Sequence, residues 1–408
     1  MGLILRILFW VAVFGSVTSW IYCLMVIVAA VRFGLRRQRD RRTASSFLPA
    51  LSVLKPLHGA EPGLEQNLAS FFEQDYPDFE LLFCARHETD EGLQLARRVG
   101  ARYPQVTARY LTCGEPQFPN AKMFSLAVMA EAAQSEYLVT ADADARVEKD
   151  LLRRSVQVLA DPKMALASCL YLGTADVPNL ATALDAVGKS VEMSSGVLVA
   201  DMVEGGTKFA LGVIMILRRQ AFQDAGGYAD LGQYQAEDYV LGKRLAEQGQ
   251  GVRMSSEVIR LVVPETSFGL SFRNQLRWMQ STRRSRPLGH LGTGLTFSMP
   301  FGLIGLLWGA LAGHPWLGLL WLLASCVNRW LQAGVMLAVL GERKWLWPTG
   351  IYPLRDLLGG ALWLFSYLPG QVYYHGRKYS IAADGRFEEI GYIPKVQQLL
   401  KNLPCVRS

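Results

Sequence analysis

The stretch from Tyr137 to Val147 carries two aspartates one residue apart, Asp142 and Asp144. They follow the short apolar run Tyr137–Thr140, which is typical of a buried strand. Ligands of parallel sheets bind at the carboxyl ends of the strands. Carboxylate oxygens are the hard ligands of Mg²⁺ and Mn²⁺, which also keep substrate phosphates in their shell. The spacing therefore indicates a metal site that could neutralise a departing diphosphate, and two solvated loop carboxylates are the alternative.

A second acidic pair, Glu237 and Asp238, comes directly before the helical pattern Val240–Gln248. Acidic residues in the first turn of a helix interact favourably with the positive end of its dipole. A carboxylate at such a position can also take a proton from a hydroxyl nucleophile. The pair is thus either a helix start or a general base.

A third group consists of Arg273, Arg277 and Trp278, with further arginines following them. Arg273 and Arg277 are four residues apart and share one face of a predicted helix. This helix could rest on a membrane with its arginines reaching the head groups. It could also offer a guanidinium to a diphosphate, and the two interpretations are compatible.

The segment between about Ser46 and Pro287 alternates short apolar runs with helical patterns. The predicted strands are Leu51–Leu54, Phe79–Cys84, Ala108–Cys113 and Glu136–Ala141, and the predicted helices are Glu61–Glu73, Gly92–Tyr103 and Lys122–Ala133. Such alternation predicts an α/β fold with a parallel, Rossmann-like doubly wound sheet. The sequence has no GxGxxG after the first strand and no GxxxxGK[ST], which argues against NAD or FAD binding and excludes a P-loop.

The composition indicates that part of the chain lies in lipid. Of the 408 residues, 50% are hydrophobic and only 19% are charged, against about 25% charged in soluble domains. Six cysteines are too few for a disulfide scaffold, and no CxxC pair supports a zinc site.

The first apolar run, Ile7–Val31, is long enough for a transmembrane helix, which takes about 20 residues. A signal peptide would have a shorter apolar region and a small-residue cleavage site. Arginines flanking a span mark the cytoplasmic side, so we expect the following domain to be cytoplasmic. The alternative interpretation of these arginines, a basic arm for nucleic acid, fits poorly beside a lipid span. The arginines that flank the span are Arg32, Arg36, Arg37, Arg39, Arg41 and Arg42.

Three further apolar segments follow Pro287: Leu295–Ala312, Trp316–Leu340 and Ile351–Leu368. The third contains Arg355 and Asp356 and is the weakest candidate for a span. The tail from His375 is basic and is expected to be cytoplasmic, so one of the three segments is expected to lie in the interface or to re-enter.

Several blocks of the chain together resemble one family, the ceramide glucosyltransferases and their bacterial relatives, which form glycosyltransferase family 21 of the GT-A fold class. Bacterial hopanoid-modifying glycosyltransferases are similar, but they tend to have Asp-Asp where this chain has Glu237-Asp238. The resembling blocks are Ser52–Phe83, Ala141–Val147, Gly212–Tyr228, Gln233–Gly249, Leu276–Pro287 and His375–Ile390.

The resemblance implies a role for each candidate site residue. It implies that Asp144 and Asp142 hold Mg²⁺ or Mn²⁺ on the diphosphate and that Asp238, beside Glu237, is the catalytic base. The remaining roles concern the substrates: Lys55 and Pro56 at the nucleotide, Asp90 at the uracil, Lys122 at a phosphate, and Arg277 and Trp278 at the diphosphate and acceptor side. The chain departs from the family pattern at Asn274, where Gln or Arg is usual.

The resulting expectation is a membrane-anchored, inverting GT-A enzyme that transfers a hexose, foremost glucose, from a UDP-sugar to a lipid hydroxyl, foremost that of ceramide. The alternatives are a hopanoid-lipid sugar transferase, a processive polysaccharide synthase and a non-catalytic membrane protein. The expected location is the bacterial inner membrane or, in a eukaryote, a Golgi-type membrane. The expected divisions are an anchor (1–45), a GT-A domain (46–287), membrane helices (288–374) and a cytosolic tail (375–408).

Overall fold

The computed structural model describes residues 2–43, 46–177, 179–264, 266–368, 370, 372–374 and 377–392. The chain forms two compact units. The unit that we call the sheet unit consists of Arg37–Leu170, Glu204–Pro264 and Gly370–Ser408. The other, the helical unit, consists of Met1–Arg36, Tyr171–Val203 and Glu265–Pro369.

One mixed sheet contains eight strands of the described part of the chain, in the order β3-β2-β1-β4-β7-β6-β8-β5. These strands are β1 (Leu51–Pro56), β2 (Phe79–Ala85), β3 (Thr107–Thr112), β4 (Tyr137–Ala141), β5 (Ala145–Arg146), β6 (Met164–Ala175), β7 (Ile214–Arg218) and β8 (Gly251–Val263). The neighbouring pairs among β1 to β4 are parallel, as the alternation of strands and helices predicts. The other half differs, because β7 runs antiparallel to both β4 and β6, and β5 runs antiparallel to β8.

The helices before the second half of the chain are α1 (Leu3–Arg42), α2 (Leu64–Phe72), α3 (Glu91–Gly100), α4 (Ala121–Ala132), α5 (Leu151–Ser155), α6 (Leu180–Val187) and α7 (Ser194–Val203). Those that follow are α8 (Gln220–Asp224), α9 (Gly227–Leu231), α10 (Glu237–Glu247), α11 (Phe268–Ser285), α12 (Pro287–Thr293), α13 (Met299–Leu311), α14 (Pro315–Leu340) and α15 (Leu346–Phe365). A π-helical segment, Gly188–Met193, joins α6 to α7.

The core of the sheet unit includes a cluster of side chains from central strands and from the helices that cover them. Leu54 on β1, Leu82 on β2, Leu138 on β4 and Met215 on β7 are fully buried there, together with Leu126 on α4. Strands covered in this way are apolar along most of their length, which explains the continuous apolar runs in the sequence.

Charged side chains are buried in the helical unit, and they form ion pairs. Arg329 on α14 lies 3.0 Å from Asp356 on α15, and Arg355 lies 3.0 Å from Glu192 in the π-helical segment. Asp356 also accepts hydrogen bonds from the backbone N–H groups of Ser298 and Met299 at the start of α13. Charges in an apolar environment are retained when they are paired in this way.

Among the described residues, α1 and α14 are long and apolar enough to cross a membrane. Helix α13 has 13 residues, a length of about 20 Å, whereas the apolar core of a bilayer is about 30 Å thick. Helix α15, which contains the buried Arg355 and Asp356, is not among the helices that are long and apolar enough to cross. The single apolar helix near the N-terminus agrees with the sequence prediction.

The described part of the tail forms a small antiparallel sheet of β9 (Val372–Tyr374), β10 (Arg377–Ile381) and β11 (Phe387–Tyr392). His375, at which the predicted basic tail begins, and Lys395 and Lys401, two of its basic residues, lie outside the described residues.

Candidate active site

Asp142 and Asp144 lie in the turn that directly follows β4, at the carboxyl end of this parallel strand. The backbone N–H of Asp142 donates a hydrogen bond to the carbonyl of Val213, and its carbonyl accepts one from the N–H of Ala145. The turn is therefore held between β4 and the residue that precedes β7. The carboxylates lie at the edge of the sheet that the sequence motif predicts.

Lys122 connects the two acidic motifs. Its ammonium lies 2.7 Å from Oδ1 of Asp142 and 3.3 Å from Oε1 of Glu237, and it donates a hydrogen bond of 3.2 Å to the carbonyl of Gly212. Lys122 is near the start of α4, one residue after Ala121. The sequence indicated a phosphate contact for this lysine, and the structure places it between carboxylates.

The charges in this cluster change one another's proton affinity. Burial alone would lower the pKa of Lys122, but attraction to Asp142 and Glu237 outweighs it and raises that pKa above its usual value. Burial raises the pKa of Asp142, and the neighbouring Lys122 opposes part of this increase. These interactions thus stabilise the charged form of the Lys122 side chain.

Asn120 fixes the start of α4 and also contacts the acidic cluster. Its Oδ1 accepts a hydrogen bond from the N–H of Met123, which caps the helix. Its Nδ2 donates to Oε2 of Glu237 at 3.0 Å and to the carbonyl of Tyr234 at 3.2 Å. The same residue therefore caps the helix that carries Lys122 and orients Glu237.

Lys55 is fully buried near the end of β1 and stabilises the turn that contains Asp142. Its ammonium donates a hydrogen bond of 2.6 Å to the backbone carbonyl of Asp142 and lies 4.2 Å from the centre of the Phe71 ring. Burial lowers the pKa of Lys55 to about 7, although the nearby Asp144 and Asp142 act in the opposite direction. Pro56, the last residue of β1, pairs with Cys84 of β2.

Glu237 and Asp238 form the first turn of α10, so the helix-start interpretation is correct in its geometry. Oδ2 of Asp238 accepts a hydrogen bond of 2.6 Å from the N–H of Gly212, and Oδ1 accepts one of 2.7 Å from the N–H of Tyr239. Burial, followed by repulsion from Glu237, raises the pKa of Asp238 to about 6, although Lys122 and these backbone donors oppose the change. A firmly oriented carboxylate with a raised pKa is also suited to general base catalysis.

Asp90 has a clear structural role as the N-cap of α3. Its Oδ1 accepts hydrogen bonds from the N–H groups of Gly92 and Leu93, and its Oδ2 accepts one from Gly59. Its side chain is only 11% exposed. An ionised carboxylate has about four acceptor sites, so three backbone donors leave little capacity for the predicted uracil contact.

Arg277 and Trp278 lie on α11, in the helical unit, whereas the acidic cluster belongs to the sheet unit. The ammonium of Lys189 lies 5.1 Å from the centre of the Trp278 ring, a cation–π contact within that unit.

Asn120 and Gly212 contribute to the cluster although the sequence assigned them no role. Asn120 stands two residues before the predicted helix that starts at Lys122, and an asparagine at such a position is a detectable capping signal. Gly212 has no signal of its own, because its importance comes from the close approach of Asp238.

The donor set at the β4 turn fits a divalent cation. Among the described residues, no three His, Cys, Asp or Glu side chains form a group that could hold a metal ion. Mg²⁺, however, is usually bound by one or two carboxylates together with substrate phosphates, and Asp142 and Asp144 supply two. These two residues would hold Mg²⁺ or Mn²⁺.

One family model matches most of the length of this chain. The model of glycosyltransferase family 21 matches residues 11–387. The chain belongs to glycosyltransferase family 21. This confirms the resemblance noted in the sequence and, with the mixed sheet and its covering helices, the predicted GT-A fold class.

Among similar curated proteins, ceramide glucosyltransferase 1 of Caenorhabditis elegans is 27% identical over 258 residues, which cover 63% of this chain and 54% of that protein. Ceramide glucosyltransferase of Komagataella phaffii is 31% identical over 146 residues, which cover 34% of this chain and 29% of that protein. The chain therefore spans about half the length of the Caenorhabditis elegans protein and a smaller share of the Komagataella phaffii protein.

Two solved glycosyltransferase structures are similar at lower identity. A mannosyltransferase from Pyrobaculum calidifontis, in complex with GDP-Man and Mn²⁺, is 18% identical with a TM-score of 0.47, covering 85% of this chain and 99% of that one. Glucosyl-3-phosphoglycerate synthase from Mycobacterium tuberculosis, in complex with Mg²⁺ and UDP, is 18% identical with a TM-score of 0.36, covering 54% and 72%.

Proposed function

We propose that this family 21 member transfers a hexose from a UDP-sugar to the hydroxyl of a lipid, with inversion at the sugar carbon. Glucose is the leading sugar and ceramide the leading acceptor, a choice supported by the similarity to ceramide glucosyltransferases. The observation that carries the proposal is the Asp238 carboxylate, which two backbone N–H groups orient beside the Lys122 cluster.

On the donor side, Asp142 and Asp144 would hold Mg²⁺ or Mn²⁺. A bound divalent cation supplies positive charge that stabilises the departing diphosphate. Lys55 holds the backbone of the turn through the carbonyl of Asp142, so it positions the carboxylates. Lys122 keeps its charge in this cluster and can share it with a phosphate as a point charge.

On the acceptor side, Asp238 takes the proton of the attacking hydroxyl. As the acceptor oxygen forms its bond to the sugar carbon, the bond from that carbon to the diphosphate oxygen breaks. The proton moves to a free lone pair of the Asp238 carboxylate, whose other lone pairs accept the N–H groups of Gly212 and Tyr239. A pKa of about 6 leaves this base ionised at neutral pH while it remains a better proton acceptor than an ordinary aspartate.

Three other residues have proposed substrate contacts. Pro56 is assigned to the nucleotide, and Arg277 and Trp278 are assigned to the diphosphate and acceptor side. Asp90 caps α3 and is assigned no substrate contact. The guanidinium of Arg277 suits a diphosphate because its fork can donate two parallel hydrogen bonds.

Membrane attachment is part of the proposal, because the acceptor is a lipid. Helices α1 and α14 are long and apolar enough to anchor the chain. The arginines that follow the apolar part of α1 favour a cytoplasmic sheet unit and tail.

The test is a panel of lipid acceptors supplied with isotope-labelled UDP-sugars in membranes or detergent, with products identified by mass spectrometry. The panel contains ceramide, a hopanoid alcohol and a vesicle control without acceptor, each with UDP-glucose and UDP-galactose. We expect a single glucose on ceramide. Labelled product only with the hopanoid would change the acceptor, a sugar polymer would indicate a processive synthase, and no transfer to any acceptor would overturn the proposal.

A further inference from the structure

The turn between β10 and β11 of the tail pairs with the loop that leads into the acidic helix α10. The N–H of Gln235 donates to the carbonyl of Gly385 at 3.2 Å, and the N–H of Phe387 donates to the carbonyl of Gln233 at 2.8 Å. Tyr234 and Arg386 form an isolated antiparallel bridge between these two bonds. The loop Gln233–Gln235 is therefore held by a segment about 150 residues later in the chain.

Tyr234 is the centre of this contact and is only 6% exposed. Its hydroxyl accepts hydrogen bonds from Nε of Arg386 at 2.9 Å and from Nη2 of Arg244 at 3.1 Å. Both guanidinium groups also lie near the ring, at 4.9 Å and 5.3 Å from its centre. Asp230 forms ion pairs with both arginines, which balances part of their charge.

The loop passes this restraint on to the acidic cluster. The carbonyl of Tyr234 accepts a hydrogen bond from Nδ2 of Asn120, which also donates to Oε2 of Glu237. The other oxygen of Glu237 lies 3.3 Å from the ammonium of Lys122. A continuous set of contacts thus connects Arg386 of the tail with Glu237.

The start of α10 depends on such distant contacts because its own sequence does not fix it. The residue before the helix is Ala236, whose side chain cannot cap the helix N-terminus. A Ser, Thr, Asp or Asn there would hold the first turn locally. Here the conformation of the loop determines where α10 begins and therefore where Glu237 and Asp238 lie.

We infer that Arg386 is a positioning residue for glycosyl transfer: by holding Tyr234, it fixes the loop before α10 and thereby orients Glu237 and Asp238. Arg386 acts through the loop, and the inference rests on the proposed function. Small displacements of a reacting group reduce turnover much more than ground-state binding, and a misplacement of about 1 Å can cost about 10²-fold.

The experiment compares Arg386→Ala with Arg377→Ala in the full-length, membrane-inserted protein. Arg377 is a matched control, because it lies on the same small sheet and pairs with Glu389. We expect Arg386→Ala to lower kcat about 10-fold or more, while the KM for the UDP-sugar stays within about twofold. Arg377→Ala is expected to retain both constants within about twofold.

Hydrogen exchange measures the same effect without turnover. In Arg386→Ala, the amide of Gln235 and the amide of Gly212, which donates to Asp238, are expected to exchange faster than in the wild type. Tyr234→Phe removes the hydroxyl acceptor but keeps the ring, so it tests the contact if Arg386→Ala folds poorly; it should show the same changes at smaller size.

Unchanged kcat in Arg386→Ala, despite faster exchange at Gln235, would show that the tail holds the loop without positioning the acids. Unchanged exchange at both amides would show that the tail is not needed to hold the loop. If the wild type transfers no sugar to any acceptor, the proposed function fails, whereas exchange at Gly212 still tests the positioning role.

Discussion

The N–H of Gly212 lies 2.6 Å from Oδ2 of Asp238, and no side chain larger than that of glycine fits between them. A Cβ atom at position 212 would lie 2.7 Å from that oxygen and 3.1 Å from the Cγ atom of Asp238. The backbone N–H of Gly212 therefore binds the Asp238 carboxylate, and the absence of a side chain at position 212 leaves the space that this carboxylate occupies.

Gly212→Ala is expected to displace Asp238 and to lower kcat at least about 10-fold, with little change in the KM for the UDP-sugar. Gly391→Ala is the matched control, because a Cβ there meets nothing within 4 Å. Steady-state kinetics and a thermal unfolding curve of both variants provide the measurement. Wild-type turnover in Gly212→Ala would mean that the position of Asp238 does not matter for the reaction.

Asp238→Asn is expected to lower kcat by about 10²–10⁴-fold while UDP-sugar affinity stays close to that of the wild type. The amide has the same size and still accepts a backbone hydrogen bond, but it cannot take a proton from the lipid hydroxyl. The rate is measured with saturating acceptor, and the affinity is measured by calorimetry with the UDP-sugar.

Glu237→Gln is the comparison variant for Asp238→Asn, and its loss is expected to be smaller. A larger loss in Glu237→Gln would move the role of the base to residue 237. A rate within about threefold of the wild type in Asp238→Asn would exclude Asp238 as the base, since one general base is worth more than that.

The dependence of kcat/KM on pH should show an acidic limb with a midpoint near pH 6, the pKa of Asp238. Because the pKa is raised and the base must be ionised, activity is lost as the pH falls through this value and gained as it rises. Glu237→Gln removes the carboxylate whose repulsion contributes to the raised pKa, so the midpoint should move to lower pH. A midpoint that stays in place in that variant contradicts the assignment of the limb to Asp238.

Asp144→Ala is expected to abolish UDP binding that depends on Mn²⁺ and to reduce transfer to background, because one of two carboxylates for the cation is lost. Titration calorimetry with UDP, with and without Mn²⁺, separates this effect from general misfolding. The exposed Asp78, in the same unit, serves as the control in Asp78→Ala. Retained Mn²⁺-dependent binding in Asp144→Ala would argue against the metal assignment.

The main part of the sheet unit and its C-terminal tail are expected on the cytoplasmic side of the membrane. Lys163→Cys and Glu388→Cys place reactive thiols at exposed positions of the two segments. A membrane-impermeant maleimide should label both in opened membranes and neither in intact cells. Labelling of either one in intact cells is incompatible with this topology.

Local sequence patterns determined much of the first half of the fold. The apolar runs and helical periods up to Ala141 match β1 to β4 and the helices between them, because burial of each element follows a pattern of neighbouring residues. The same reasoning placed Asp142 and Asp144 at a strand end and Glu237 and Asp238 at a helix start.

Only the tertiary structure decided which groups meet. The antiparallel pairing of β7 with β4, the position of Lys122 between Asp142 and Glu237, and the contact of Arg386 with Tyr234 all join residues far apart in the chain. No local period encodes such contacts. Asp90 illustrates the same limit of sequence reasoning. From the sequence, an aspartate after a strand can be either a ligand contact or a helix cap. Only the positions of the three backbone donors around Asp90 show that it is a helix cap. The sequence by itself therefore identified the family and suggested the candidate chemical groups, whereas the packing of distant segments determined their partners. The charge and the proton affinity of each group depend on what lies within a few ångströms, so these properties follow from the packing.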